Sequence, residues 1–251
     1  MKQFLLVMVL ALLGMGCKER KNEAATDHSA AMENTDTAMG SSEEGEWTVL
    51  FDGTSLDGWH GYLQDSVPEE WSVEDGAMVF HPSEDKHGAS NLVTDKEYTD
   101  FVLSLDWKIS EAGNSGILWG VVEDEKYRQP YQTGPEIQIL DDEKHPDSKA
   151  GPTHQAGALY DMVPPSQKTV RPVGEWNTCV ITINHKTNEG KVSLNGEEVV
   201  QFPVNGDGWQ QMVAKSKFAD WEAFGKFPTG KIALQDHGNM VSFKNIKIKE
   251  L

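Results

Sequence analysis

From Leu103 to Ile109 the chain alternates apolar and polar residues, in the order Leu-Ser-Leu-Asp-Trp-Lys-Ile. Successive side chains of a strand point to opposite faces, so Leu103, Leu105, Trp107 and Ile109 share one face, and Ser104, Asp106 and Lys108 the other. The same two-residue period recurs over residues 116–122, 136–140, 176–183, 231–236 and 241–249. Asp75-Gly76 and Asn195-Gly196 each sit between two such runs, the signature of a two-residue hairpin turn. No apolar stripe of three helical turns is present; only residues 210–219 and the stretch before them leave room for a short helix. Strands with one apolar face must be covered by another sheet. The expectation is an all-β sandwich of two antiparallel sheets, one domain over residues 47–251.

The first 46 residues read differently. Met1-Lys2 precede the apolar run Phe4–Leu13, which is too short for a permanent bilayer span but suits the apolar region of an export signal. Gly16-Cys17 follows and resembles the lipobox of bacterial lipoproteins, in which the cysteine is acylated and becomes the mature N-terminus. Residues 1–16 are therefore expected to be a lipoprotein signal peptide, with Cys17 the lipidated residue. Lys18-Glu19-Arg20 resembles the charged sorting signal of some Bacteroidetes surface lipoproteins. Residues 18–46 contain no aromatic residue and no Leu, Ile or Val. Such a stretch cannot bury enough surface to offset its ordering entropy, so 17–46 is expected to be a disordered tether. The expected location is the cell envelope, with the protein lipid-anchored to a periplasmic or outer-membrane surface and touching membrane only through its N-terminal lipid.

Charge narrows the partners. With 22 Lys+Arg against 40 Asp+Glu, the net charge is −18, which argues against nucleic acid. With Cys17 assigned to lipid, Cys179 has no cysteine to pair with, and its place in the alternating run 176–183 suits a small buried residue better than a nucleophile.

Two runs turn polar on one face. In Glu136–Leu140, Ile137 and Ile139 point one way while Glu136 and Gln138 point the other. In Lys231–His237, Ile232 and Leu234 oppose Ala233, Gln235 and His237. An acid or imidazole beside an amide on two strands suits a sugar-binding concavity; the competing reading is a solvated outer face. Gly113-Asn-Ser-Gly116 has the composition of a turn, from which Asn114 could present its amide to a ligand. The Asp141–Asp147 loop, which includes His145, reads as solvated acidic surface, with a divalent cation left open as its ligand. No phosphate loop, nucleophile elbow or zinc-protease motif is present.

The ordered motifs Leu50–Trp59, Trp71–Gly76, Gly113–Gly116, Gly134–Asp141, Gly157–Asp161, Gly174–Asn177, Leu194–Gly196 and Ile232–Gly238 together resemble the 3-keto-disaccharide hydrolase family. The resemblance implies a concanavalin A-like jelly-roll β-sandwich. It also implies action on saccharides or glycosides whose C3 hydroxyl has been oxidised to a ketone by a separate sugar 3-oxidoreductase, with cleavage by hydrolysis or by C1–C2 elimination and hydration. No cofactor is implied. The family's basic residue before Gly157–Asp161 is replaced here by Gln155-Ala156.

A C3 ketone acidifies the C2 proton, so a base can remove it and expel the group at C1; the site needs a base, an acid, and donors to the enolate oxygen. Glu136 and His237 are the candidates for the acid and base roles. Asn114, Gln138 and Gln235 are candidates to hold sugar hydroxyls or the enolate, and Lys217 to polarise the ketone. Trp59, Trp119 or Tyr131 would supply a stacking surface. Two other classes stay open at this point: a non-catalytic carbohydrate-binding module, and a metal-dependent glycosidase using the acidic loop.

Overall fold

Among the described residues, 45–83 and 89–251 of a computed structural model, thirteen strands, one α-helix and three short 3-10 turns follow one another. The strands are β1 (Thr48–Phe51), β2 (Trp59–Gly61), β3 (Trp71–Glu74), β4 (Ala77–Phe80), β5 (Leu92–Thr94), β6 (Phe101–Ile109), β7 (Asn114–Val121), β8 (Glu136–Leu140), β9 (Asn177–Asn184), β10 (Glu189–Leu194), β11 (Glu197–Phe202), β12 (Lys231–Leu234) and β13 (Val241–Glu250). The helix α1 (Gly206–Ala214) begins before the sequence-predicted stretch 210–219 and ends within it. The expected signal peptide, Cys17 and nearly all of the tether lie outside the described residues. Among the described residues no helix is long and apolar enough to cross a membrane.

The strands form two antiparallel sheets. The larger runs β11-β10-β9-β6-β13-β4-β3, with β1 also paired to β13; the smaller runs β2-β5-β12-β7-β8. Both hairpin turns form as the sequence indicates. Asp75 and Gly76 carry φ values of 49° and 75°, Asn195 and Gly196 of 56° and 90°, and the mirror-image turn needs two positive values in a row.

Alternation in β6 comes through intact. Phe101, Leu103, Leu105, Trp107 and Ile109 are buried, and the residues between them are half-buried. Opposite them, the smaller sheet contributes Ile117, Ile137, Ile139, Ile232 and Leu234 to the same core. Cys179 belongs to that core, and burial pushes its thiol up to about 12, so it is an apolar filler rather than a nucleophile.

The outer face of the smaller sheet is divided. One half carries a separate apolar cluster of Tyr62, Val93, Leu118, Val121 and Ala233. Tyr62 seals it by donating its hydroxyl to the carbonyls of Val122 (3.1 Å) and Tyr127 (2.7 Å). The other half is polar. Covered on both faces, β7 and β8 contain no exposed residue. Gly113–Gly116, read from composition as a turn, is strand from Asn114 onward and pairs in register with β8.

Candidate active site

β8 projects Glu136 and Gln138 onto the polar half of that outer face. In the β7–β8 register Gly116 lies opposite Gln138, and Leu118 opposite Glu136. On the far side of β7, the Gln235 backbone N–H donates to the Gly116 carbonyl at 2.9 Å. Gly116 is therefore a bare spot between two glutamines, and the Glu136 carboxyl lies over it. A Cβ on residue 116 would overlap that carboxyl. The glycine is required here for space, not for backbone freedom.

Glu136 is 7% exposed, and burial raises its carboxyl to about 8. The nearby Asp147 carboxylate pushes the same way; the Lys217 ammonium and a hydrogen bond from Gln235 oppose it. Near neutral pH the group is mostly a neutral acid carrying a proton.

Asp147 organises the segment that crosses this face. It accepts from the Tyr160 hydroxyl at 3.0 Å and from the Gln138 amide at 3.4 Å, and its other oxygen lies 3.0 Å from His154 Nδ1. His154 Nε2 in turn lies 3.0 Å from Asp161, and Asp161 also accepts the Lys217 backbone N–H at 2.6 Å. Lys217 is an exposed residue, yet its Nζ sits 4.0 Å from the centroid of the Tyr160 ring, within cation–π range. Burial and the Asp147 charge raise the Tyr160 phenol, which keeps its proton. His145 Nδ1 accepts the Asp147 N–H at 3.2 Å, and burial lowers this imidazole below its ordinary value, so it is neutral at pH 7. His237 meets His145 edge to face at 5.9 Å. A row of aromatic rings leads outward from Tyr160 through Phe218 (6.5 Å) and Trp221 (5.1 Å) to Tyr131 (5.9 Å), which is 37% exposed.

Asn114, Glu136, Gln138 and Gln235 thus share one small patch, with Lys217 beside it. His237 joins the patch at its margin, through His145, and Tyr131 stands at the outer end of the aromatic row. Trp59 and Trp119 take no part in stacking. Both are buried, Trp59 donating its indole N–H to the Leu50 carbonyl at 2.8 Å and Trp119 packing on Phe202 at 5.8 Å. In the acidic loop, Asp141 accepts backbone N–H groups of Ala112, Glu143 and Lys144, and Asp142 that of Ala156. These carboxylates fix the loop. Among the described residues no group of three or more His, Cys, Asp or Glu is disposed to hold a metal ion. His185 binds Asp100 through both its backbone N–H (2.6 Å) and its ring (3.1 Å). Asp147, His154, Tyr160 and Asp161 are the site residues the sequence pattern did not single out. Tyr160 and Asp161 do fall within one of the family-like motifs, which was the available signal.

Residues 46–249 match the 3-keto-alpha-glucoside-1,2-lyase-like domain. The chain belongs to this family. It is 32% identical to a 3-keto-disaccharide hydrolase of Bacteroides thetaiotaomicron, over 93% of this chain and 89% of that one. A protein of Parabacteroides distasonis described as a candidate glycosyl hydrolase superposes with a TM-score of 0.74 at 36% identity, covering 82% of this chain and 94% of its own. A second from the same organism gives 0.64 at 29%, covering 82% and 100%. The chain is a glycoside-cleaving enzyme on a β-sandwich.

Proposed function

We propose that the enzyme cleaves glycosides bearing a ketone at C3, by removing the C2 proton and expelling the C1 substituent, with water then added to the resulting enol ether. The observation that carries this reading is Glu136, a buried carboxylic acid that keeps its proton near neutral pH in the middle of an amide-lined sheet face. Such a group can protonate the departing glycosidic oxygen. His237 takes the C2 proton from the margin of the patch. The Lys217 ammonium meets the oxygen on which negative charge develops, where a fixed donor stabilises the enolate more than the ketone. Retaining glycosidases instead set two carboxyl groups about 5–5.5 Å apart to trap an oxocarbenium ion; a neutral Glu136 with imidazole and amides around it suits proton transfer better.

The direct test is incubation with 3-keto-trehalose and methyl 3-keto-β-glucoside in heavy water, following products by mass spectrometry. The expected product carries deuterium at C2, while substrate recovered at partial conversion from a chemically blocked control does not. A product with unexchanged C2 would refute elimination and leave hydrolysis. Glu136→Gln should lower kcat by about 10²–10⁴-fold, the usual scale of general acid–base catalysis; activity within twofold of wild type would remove Glu136 from the mechanism. The proposal extends to location and supply: an export signal, acylation at Cys17, and a separate oxidoreductase that installs the ketone. Radiolabelled palmitate should enter the wild-type chain and not Cys17→Ser.

A further inference from the structure

Three side-chain oxygens on the polar face have no hydrogen-bond partner although they are buried: Asn114 Oδ1, Gln138 Oε1 and Gln235 Oε1. Their residues are 4%, 2% and 6% exposed. Leaving such an oxygen unpaired in a dry place costs free energy, so three together on one patch point to something that normally sits on them. Their arrangement is compact. Gln138 and Gln235 flank Gly116 on the two neighbouring strands, and Asn114 lies two residues along β7 on the same face. With strands about 4.8 Å apart and about 6.8 Å between alternate residues, the three span the dimensions of one pyranose ring. Gly116, with the Glu136 carboxyl lying over it, is between them.

All three are acceptors, so the partner must present donors. The nitrogens of the two glutamines are otherwise engaged: Gln138 donates to Asp147, and Gln235 to Glu136. A ketone or an enolate oxygen, being an acceptor, finds no partner in these oxygens and has to face Lys217 instead. A hexopyranosyl unit with a ketone at C3 and its glycosidic bond at C1 keeps three hydroxyls, at C2, C4 and C6. We propose that Asn114, Gln138 and Gln235 are specificity-determining residues that each accept from one of those hydroxyls, so that the enzyme acts on terminal, unsubstituted 3-keto-hexosyl units and rejects branched, deoxygenated or pentosyl ones. This deepens the proposed function and rests on it for the position of the ketone.

The test uses wild-type enzyme and the non-cleavable 3-keto C-glucoside, with its 2-deoxy, 4-deoxy, 6-deoxy and 4-O-methyl analogues, measured by calorimetry. A site built to pair a hydroxyl rejects analogues lacking it strongly, and each deoxy analogue should bind at least about 10²-fold more weakly than the parent. In Asn114→Ala, Gln138→Leu and Gln235→Leu, the penalty for one deoxy analogue should vanish while the others persist. Because an unpaired buried oxygen is removed, the variants should melt at or above the wild-type temperature. Deoxy analogues binding within threefold of the parent, or variants that lose all discrimination together, would overturn the proposal. Failure of wild type to cleave the O-glycoside while the C-glycoside pattern holds would count against the elimination chemistry and leave the hydroxyl-reading floor standing.

Discussion

Glu136 should make this protein less stable as pH rises through neutrality. In the unfolded chain the carboxyl titrates near its ordinary 4.5, whereas burial in the folded protein raises it to about 8. Between those values the folded state holds a proton that the unfolded chain has released, so stability falls with rising pH throughout the window and levels off above it. At about 1.4 kcal/mol per tenfold change in proton affinity, the interval corresponds to about 5 kcal/mol as an upper bound. Relaxation of Lys217 toward the carboxylate and entry of water would reduce it to about 2–4 kcal/mol. Glu136→Gln keeps the shape and removes the titration. The measurement is urea unfolding of both proteins at pH 5, 7 and 9, read by tryptophan fluorescence. The stability of the variant minus that of wild type should rise by about 2–4 kcal/mol from pH 5 to pH 9, most of it gained by pH 8. A difference that stays flat within about 0.5 kcal/mol would refute the argument, because it would mean that Glu136 ionises as freely folded as unfolded.

Other expectations concern the same patch. Activity on a 3-keto glycoside should fall with an alkaline limb near 8 as Glu136 loses its proton. In Lys217→Met that limb should move to higher pH, since the ammonium no longer favours the carboxylate, and kcat should drop about tenfold or more with the lost enolate contact. Gly116→Ala places a methyl where the Glu136 carboxyl lies; kcat should fall at least tenfold with little change in the circular dichroism spectrum, and a fully active variant would contradict the close approach. Tyr131→Ala, at the outer end of the aromatic row, should raise KM for aryl or disaccharide substrates and leave kcat unchanged in steady-state kinetics. Trp107→Ala, in the middle of β6, should cost about 3–5 kcal/mol in urea unfolding without altering the pH profile of whatever folds.

The sheets were legible because their residues obey one rule. From Leu103 to Ile109 every second residue is buried, and the two hairpin turns carry the residues that tolerate positive φ. Glu136, Gln138 and Gln235 could be picked out because an acid or amide on a strand otherwise built for a core breaks that rule. The start of β7 misled, since Gly113-Asn-Ser-Gly116 has turn composition; only the position of the Glu136 side chain shows why Gly116 must lack one of its own. Asp147 and His154 lie in short 3-10 turns, Pro146–Ala150 and Pro152–His154, and Asp161 in a loop turn, none long enough to show a period, and their meeting depends on how residues 145–161 cross the sheet. Aromatic type misled in the opposite sense: Trp59 and Trp119 serve the interior, and the exposed ring is Tyr131. The ring contact of His237 is with a neighbour, His145, that its own strand pattern does not contain.

Asp161 holds a left-handed backbone angle, φ 59°, and grips two separate stretches of chain, His154 through one carboxylate oxygen and the Lys217 backbone N–H through the other. A single carboxylate thus works as a clasp between the segment that carries Asp147 and the one that carries the ammonium and the aromatic row. Neither segment can lift from the sheet without breaking a bond the other shares. Their amide protons should therefore exchange as one cooperative unit, and Asp161→Ala should split that unit into two that open independently. Access to the patch of Asn114, Glu136, Gln138 and Gln235 would then be governed by a joint that lies outside it.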